Sequence, residues 1–253
     1  MTGVLPICLY ESKKVIEFLH MLGKEYVGIA EFHRELSLDK LEDTVREFVG
    51  EIYQKPPLRS SVARRLRRRI IYYLQLLEFD GRHLLFRVGC ESGTYIRKLV
   101  HDWGLVSGVG AHMAELRRIR DGVMTEEDSV SLYEVAAAFY QLKKEGDDSL
   151  LRQVVKPVEN VLTPFSSIYV KDSAVDAICH GAQLSVRGIS KLETPIIPGQ
   201  PVLLKTLKGE LIALGKAAQG HGWMLKADSG IAVHLLRVVM PIGYYPKLWK
   251  SRK

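Results

Sequence analysis

A chain of 253 residues with 47% hydrophobic and 26% charged residues is long enough for one large or two ordinary domains and too average in composition for a disordered or fibrous protein. No run approaches 18 uncharged apolar residues, and Glu11, Lys13, Lys14, Glu17, Lys24 and Glu25 crowd the first 25 positions, which argues against a membrane span and a signal peptide. Cys8, Cys90 and Cys179 are far apart and stand at no metal-ligand spacing with histidine, so neither a disulfide framework nor a zinc site is expected, and a reducing cytoplasm is the default location. Residues 1–125 carry 20 Lys+Arg against 16 Asp+Glu, residues 126–165 carry 4 against 8, and residues 166–253 carry 12 against 5. A basic last third within a chain of net charge +7 points to a polyanionic partner.

In chain order, Tyr26 to His33 reads as a strand, and Asp39 precedes Leu41, Val45, Phe48 and Val49 at helical spacing, with Gly50 as the stop. Arg69–Phe79 and Arg82–Cys90 flank Asp80-Gly81, a pair that tolerates the positive φ angles of a tight turn, and so form the clearest hairpin. Thr94 is placed to cap a helix that buries Ile96, Leu99, Val100 and Trp103 and ends at Gly104. Ser131 and Glu134 form a capping box ahead of Val135, Ala136, Phe139, Tyr140 and Leu142. From residue 166 the pattern changes to short strands with frequent glycine, including a second hairpin across Lys208-Gly209. These features predict an α+β protein with a mixed-sheet domain over residues 1–165, a small β-barrel over 166–242 and a basic end over 243–253.

Six arginines lie between positions 59 and 69 (Arg59, Arg64, Arg65, Arg67, Arg68 and Arg69) without one acid. A planar guanidinium matches phosphate oxygens, and neutralised phosphates release counterions, so a loop carrying this run is a candidate nucleic-acid contact. Gly108-Val-Gly110 lacks the third glycine of a phosphate-cradling loop, since Met113 stands there, and is read as a close approach of two backbones. Tyr26, Tyr95 and Trp103 are each either base-stacking platforms or core aromatics. Arg97 is either the partner of a catalytic carboxylate or a surface residue, and spacing alone separates neither pair.

Six blocks in order, Thr2-Gly-Val-Leu-Pro6, Gly23-Lys-Glu-Tyr26, Pro56-Pro-Leu-Arg-Ser-Ser-Val62, Gly93-Thr-Tyr-Ile-Arg97, Gly108-Val-Gly-Ala-His112 and Glu115-Leu-Arg-Arg118, resemble the TruB/dyskerin pseudouridine synthases. Asp172-Ser-Ala-Val175, Cys179-His-Gly-Ala182 and Tyr245-Pro-Lys-Leu-Trp249 are similar to the PUA domain and C-terminal end of the archaeal branch, the catalytic subunit of box H/ACA guide-RNA particles. The resemblance implies a cofactor-free and metal-free conversion of uridine to pseudouridine in tRNA or guide-directed rRNA, with small accessory proteins as partners. It implies that Arg97 pairs with a nucleophilic aspartate, that Tyr26 stacks on a target base flipped out of its helix, and that Leu116 and Tyr95 line the pocket. Arg59, Arg64, Arg65, Arg67 and Arg68 are the implied RNA contacts, and Ala63 replaces a lysine usual in that loop.

One departure is severe. In the family the aspartate lies in a Gly-Thr-Leu-Asp-Pro block a few residues before Thr-Gly-Val-Leu-Pro, whereas here Met1 directly precedes Thr2. The expectation is therefore a chain without its nucleophilic aspartate, truncated, split or read from an internal start codon, in which Arg97 is an unpaired, partly buried cation that costs stability. The alternative is a non-catalytic RNA-binding protein that keeps the arginine run and the PUA domain.

Overall fold

The computed structural model describes residues 1–56 and 63–248. Its elements in chain order are β1 (Thr2–Gly3), α1 (Ile16–Met21), β2 (Lys24–Phe32), α2 (Leu38–Arg46), β3 (Gly50–Gln54), β4 (Arg67–Phe79), β5 (His83–Cys90), α3 (Ile96–Val106), β6 (Ala111–Asp121) and β7 (Met124–Thr125). There follow α4 (Leu132–Glu145), α5 (Ser149–Val154), β8 (Ser167–Val170), α6 (Asp172–Cys179), β9 (Leu184–Ser185), β10 (Ile189–Leu192), β11 (Pro201–Lys205), β12 (Leu211–Ala217), α7 (His221–Met224) and β13 (Ile231–Val238). Two compact units result, one of residues 1–6 and 20–134, the other of 7–19 and 135 onward.

The first unit is a seven-stranded sheet in the order β1-β6-β2-β5-β4-β3, with β7 on the end of β6. Asp80 closes the β4–β5 hairpin by accepting the backbone N–H groups of Arg82 at 2.9 Å and His83 at 2.6 Å, and Gly81 takes the positive φ of 99° that the turn needs. Along β2 the alternation turns Tyr26, Gly28, Ala30 and Phe32 to one face, where α2 and α3 cover them with Leu41, Val45, Ile96, Leu99, Val100 and Trp103. Trp103 is fully buried among the rings of Phe32, Phe48 and Phe86, and its indole N–H donates to Thr44 Oγ1 at 2.8 Å, so of the two readings of this aromatic the core one holds.

Three expectations are corrected here. Thr94 does not cap α3: the N-cap is Tyr95, and the Thr94 hydroxyl donates to the Glu91 carbonyl at 2.7 Å. Gly104 does not stop the helix, which runs on to Val106; it is small because a Cβ there would lie 2.0 Å from the Ala111 nitrogen, where β6 begins. The close backbone approach expected of Gly108 and Gly110 is met by Gly110, whose N–H donates to the Gly104 carbonyl at 2.8 Å; a Cβ at Gly108 would have open space. The arginine run is not simply a loop either, because Arg67, Arg68 and Arg69 are the first residues of β4. Arg59 and Pro57 lie outside the described residues.

The second unit holds a six-stranded sheet in the order β10-β8-β11-β12-β13-β9, with a core of Ile168, Val170, Val175, Ile178, Val202, Leu204, Ile212 and Val233. Its β11–β12 hairpin turns where expected, with Gly209 at φ 90° and the buried Thr206 hydroxyl accepting the N–H groups of Lys208 and Glu210. Phe18 packs on Phe165 at a ring separation of 4.8 Å within the same unit. The α4 capping box forms as expected, Ser131 N–H donating to Glu134 at 2.6 Å and Glu134 N–H to Ser131 at 3.3 Å. Within α4 only Ala138 is buried, and Phe139 and Tyr140 are exposed. Residues 249 to 253 of the expected basic end are outside the described part.

Candidate active site

The start of the chain is pinned to β6 beside Tyr26. β1 runs parallel to β6, with Thr2 opposite Arg117 and Gly3 opposite Arg118, and the Val4 N–H donates to the Arg118 carbonyl at 2.8 Å. Gly3 has a φ of 97°, and a Cβ there would stand 2.0 Å from the Arg118 carbonyl oxygen, so only glycine permits this approach. Arg118 in turn lies opposite Tyr26 in the β2–β6 register. Its Nε donates to the Val4 carbonyl at 2.7 Å, its Nη1 is 3.0 Å from Asp121, and it hydrogen-bonds the Tyr26 hydroxyl. Asp121 is held a second time by Lys24 at 2.9 Å.

Tyr26 is buried, and burial raises its hydroxyl above the ordinary tyrosine value against the pull of the Arg118 guanidinium. Leu116, opposite Gly28 on β6, joins the same buried cluster, as does Ile96 at the head of α3. Tyr26 and Leu116 are thus brought together on one face of the sheet. Arg97 follows Ile96 as the second residue of α3 and is exposed, and no carboxylate pairs with it among the described residues. The expectation of a partly buried cation is corrected: the helix turns Ile96 and Val100 inward, and residue 97 falls on the solvent side. Tyr95, half-buried, is the residue from which α3 departs.

Of the arginine run, Arg64 and Arg65 are exposed and make no ion pair among the described residues, while Arg68 pairs with Glu51 of the neighbouring β3 at 2.8 Å. Arg67 is half-buried and reaches the Ala63 carbonyl at 3.4 Å. The acid missing from the run in sequence is supplied across the sheet.

On the other face, Glu25 is buried and accepts from Arg87 at 2.7 Å, from Arg120 and from Tyr73. Burial by itself would raise its carboxyl; the donors override this and hold it at about 2. The Cys90 thiol, 1% exposed, is pushed up by burial to about 11 and is therefore no nucleophile. Among the described residues no three His, Cys, Asp or Glu side chains converge as metal ligands, and no helix is long and apolar enough to cross a membrane. A depression of about 490 Å³ lined by Ile29, Phe79, Asp80, His83 and Leu85 at the β4–β5 hairpin contains none of Tyr26, Tyr95, Arg97, Leu116 and the described arginines of the run.

Sequence reasoning left Arg118, Asp121, Lys24 and Gln54 without roles. Arg118 stands in one of the quoted blocks, and that was its only signal. Lys24 and Asp121 pair across β2 and β6, and Gln54 acts on Tyr95 from β3; neither partnership follows from spacing along the chain.

A mixed sheet that buries a tyrosine beside an arginine is followed by a basic second unit of short strands. Three family descriptions match: TruB family pseudouridylate synthase (N terminal domain) over residues 1–96, tRNA pseudouridylate synthase B C-terminal domain over 97–163, and PUA domain over 166–239. The chain belongs to the TruB family of pseudouridine synthases. It is 52% identical over 248 residues to the probable tRNA pseudouridine synthase B of Methanopyrus kandleri, covering 98% of this chain and 73% of that one. It is 49% identical over 252 residues to the corresponding protein of Methanocaldococcus jannaschii, covering 75% of it. Among solved structures, a Cbf5-Nop10-Gar1 complex matches with a TM-score of 0.91 at 46% identity, over 97% of this chain and 75% of that one. An H/ACA RNP bound to a substrate RNA containing 2'-deoxyuridine matches with a TM-score of 0.88 at 44% identity, over 98% of this chain and 75% of that one.

Proposed function

We propose that these residues form the RNA-binding surface and all but the reacting carboxylate of a site that converts uridine to pseudouridine in RNA. The reaction breaks the bond between ribose C1′ and uracil N1, joins C1′ to C5, and exchanges the C5 proton for one on N1. Nothing is oxidised or reduced, so the chemistry calls for no redox partner. The base has to leave its stack for the bond to turn, and Tyr26 with Leu116 offers the apolar surface on which a flipped uracil rests. Arg97, exposed and unpaired among the described residues, is the cation that orients the nucleophilic aspartate.

The observation that carries this reading is the Gly3–Arg118–Tyr26 arrangement, which lays the Thr-Gly-Val-Leu-Pro block against the residue holding Tyr26. The family's aspartate block runs into that same segment. No Asp or Glu of the 253 residues takes its place by motif, and Asp121, whose charge acts on Tyr26, is already engaged by Lys24 and Arg118. The solved relatives in complexes with Nop10, Gar1 and substrate RNA support RNA and small accessory proteins as partners, and the curated relatives support tRNA as a substrate. Arg97, without a carboxylate partner among the described residues, also fits a second reading, an RNA-binding protein without catalysis.

Expression with and without an upstream Gly-Thr-Leu-Asp-Pro block separates the two. The 253 residues are expected to form no pseudouridine above background, even with guide RNA and accessory proteins, because positioning without a reacting group leaves most of the barrier in place. The extended protein is expected to convert its target, and its Asp→Asn variant is not. Conversion by the 253 residues alone would place the reacting group within them. Failure of the extended protein would leave the RNA-binding reading.

A further inference from the structure

The start of α3, which carries Tyr95 and Arg97, has no side-chain cap of its own. Tyr95 is the N-cap of α3 with an extended backbone (φ −94°, ψ 98°), and its side chain makes no cap bond to the first helical N–H groups. Thr94, which could cap, donates instead to Glu91. A side chain from another strand helps to fix the entry to α3. Gln54, the last residue of β3 and only 2% exposed, accepts the Tyr95 N–H on Oε1 at 2.9 Å and donates from Nε2 to the Tyr95 carbonyl at 3.2 Å. A primary amide carries acceptor and donor on one planar group and so matches both polar atoms of one backbone residue.

We propose that Gln54 is a positioning residue for the uridine site: its amide clamps the Tyr95 backbone, sets the direction in which α3 leaves, and so sets where Tyr95 and Arg97 project. Gln54 also stands two residues before Pro56, at the root of the arginine-rich segment, so the chain that approaches RNA and the chain that orients the reacting group meet at one side chain. The Tyr95 carbonyl serves the clamp and the helix together, since the Leu99 N–H also donates to it at 3.0 Å. A shift of the clamp is therefore carried into the first turn, where Arg97 lies. Glu at this position keeps the acceptor and loses the donor; Met keeps the length and loses both.

This inference rests on the pseudouridine synthase reading, and its test is made in the protein expressed with the upstream aspartate block. Gln54→Met is expected to lower kcat about 10²-fold, the cost of an ångström-scale misplacement, with KM within about threefold of the parent. Gln54→Glu is expected to fall between the two, a partial rescue in line with the bond it keeps. Amide hydrogen exchange at Tyr95 is expected to quicken at least about tenfold in Gln54→Met and less in Gln54→Glu. A melting temperature that falls while kcat holds, or a Tyr95 amide that exchanges as in the parent, would overturn the positioning role. An inactive parent protein would overturn the functional reading instead, and the two failures are distinguished by that control.

Discussion

Glu25 and Tyr26 are neighbours on β2, and the pleat sends them to opposite faces with opposite electrostatic results. Tyr26 meets the apolar core and one guanidinium, and its hydroxyl rises; Glu25 meets Arg87, Arg120 and Tyr73, and its carboxyl falls to about 2 from an ordinary 4.5. A group whose folded-state value is depressed stabilises the fold above its unfolded value and loses that contribution as the pH falls through the folded one. Glu25→Gln is expected to cost about 2–3 kcal/mol at neutral pH, below the ~3–5 kcal/mol of a fully buried pair because Arg87 and Arg120 are two-fifths exposed. In denaturant titrations the gap between parent and variant is expected to close between pH 4.5 and about 2. A gap that stays constant over that interval would mean that the arginines do not rely on the Glu25 charge. Tyr26, Leu116 and Arg97 could be named from sequence because they sit in contiguous blocks. The exposure of Arg97 could not, because it depends on which side of α3 the sheet covers.

At the scale of elements, the two hairpins and the α4 cap were legible because their signals are local. Asp80-Gly81, Lys208-Gly209 and the Ser131–Glu134 pair each act within a few residues. β3 and β6 were not legible. β3 buries only Gln54 along its length, and β6 is broken by register shifts against β2 that disturb its alternation. Gly104 was noticed for a wrong reason: a glycine near the end of a helical pattern resembles a stop, whereas here it makes room for a strand. The two readings predict opposite signs. Were Gly104 merely a helix residue, Gly104→Ala would gain about 1 kcal/mol of helix propensity. A Cβ 2.0 Å from the Ala111 nitrogen and 2.5 Å from the Gly110 carbonyl carbon instead forces two backbones apart, a loss of about 2–3 kcal/mol that outweighs the gain. A fall in thermal stability is expected, and an increase would show that α3 and β6 can separate without loss.

Across the whole molecule, composition showed the excess of positive charge but not which charges are already neutralised. In the first unit Glu25 and Glu51 satisfy Arg87, Arg120 and Arg68 across strands, where the sequence shows only distance, and Asp121 satisfies Arg118 three residues away on β6. Arg64 and Arg65 have no such partner among the described residues. Binding of polyanionic RNA releases counterions in proportion to the phosphates newly neutralised, so a cation already paired with a carboxylate contributes less than a free one. The slope of log K against log salt is expected to flatten by roughly 1.4 when Arg64 and Arg65 are both changed to Ala, about 0.7 for each single-strand phosphate contact. Arg68→Ala is expected to change it by less than half of that, since Glu51 is freed as Arg68 is lost. The basic second unit, holding most of the last third with its 12 Lys+Arg against 5 Asp+Glu, retains its own share of the slope in both variants, so binding weakens without disappearing. Equal effects from the paired and the unpaired arginines would show that the Glu51 contact does not survive in the RNA complex. An unchanged slope in the double variant would take this segment out of the RNA footprint and leave the second unit as the site of binding.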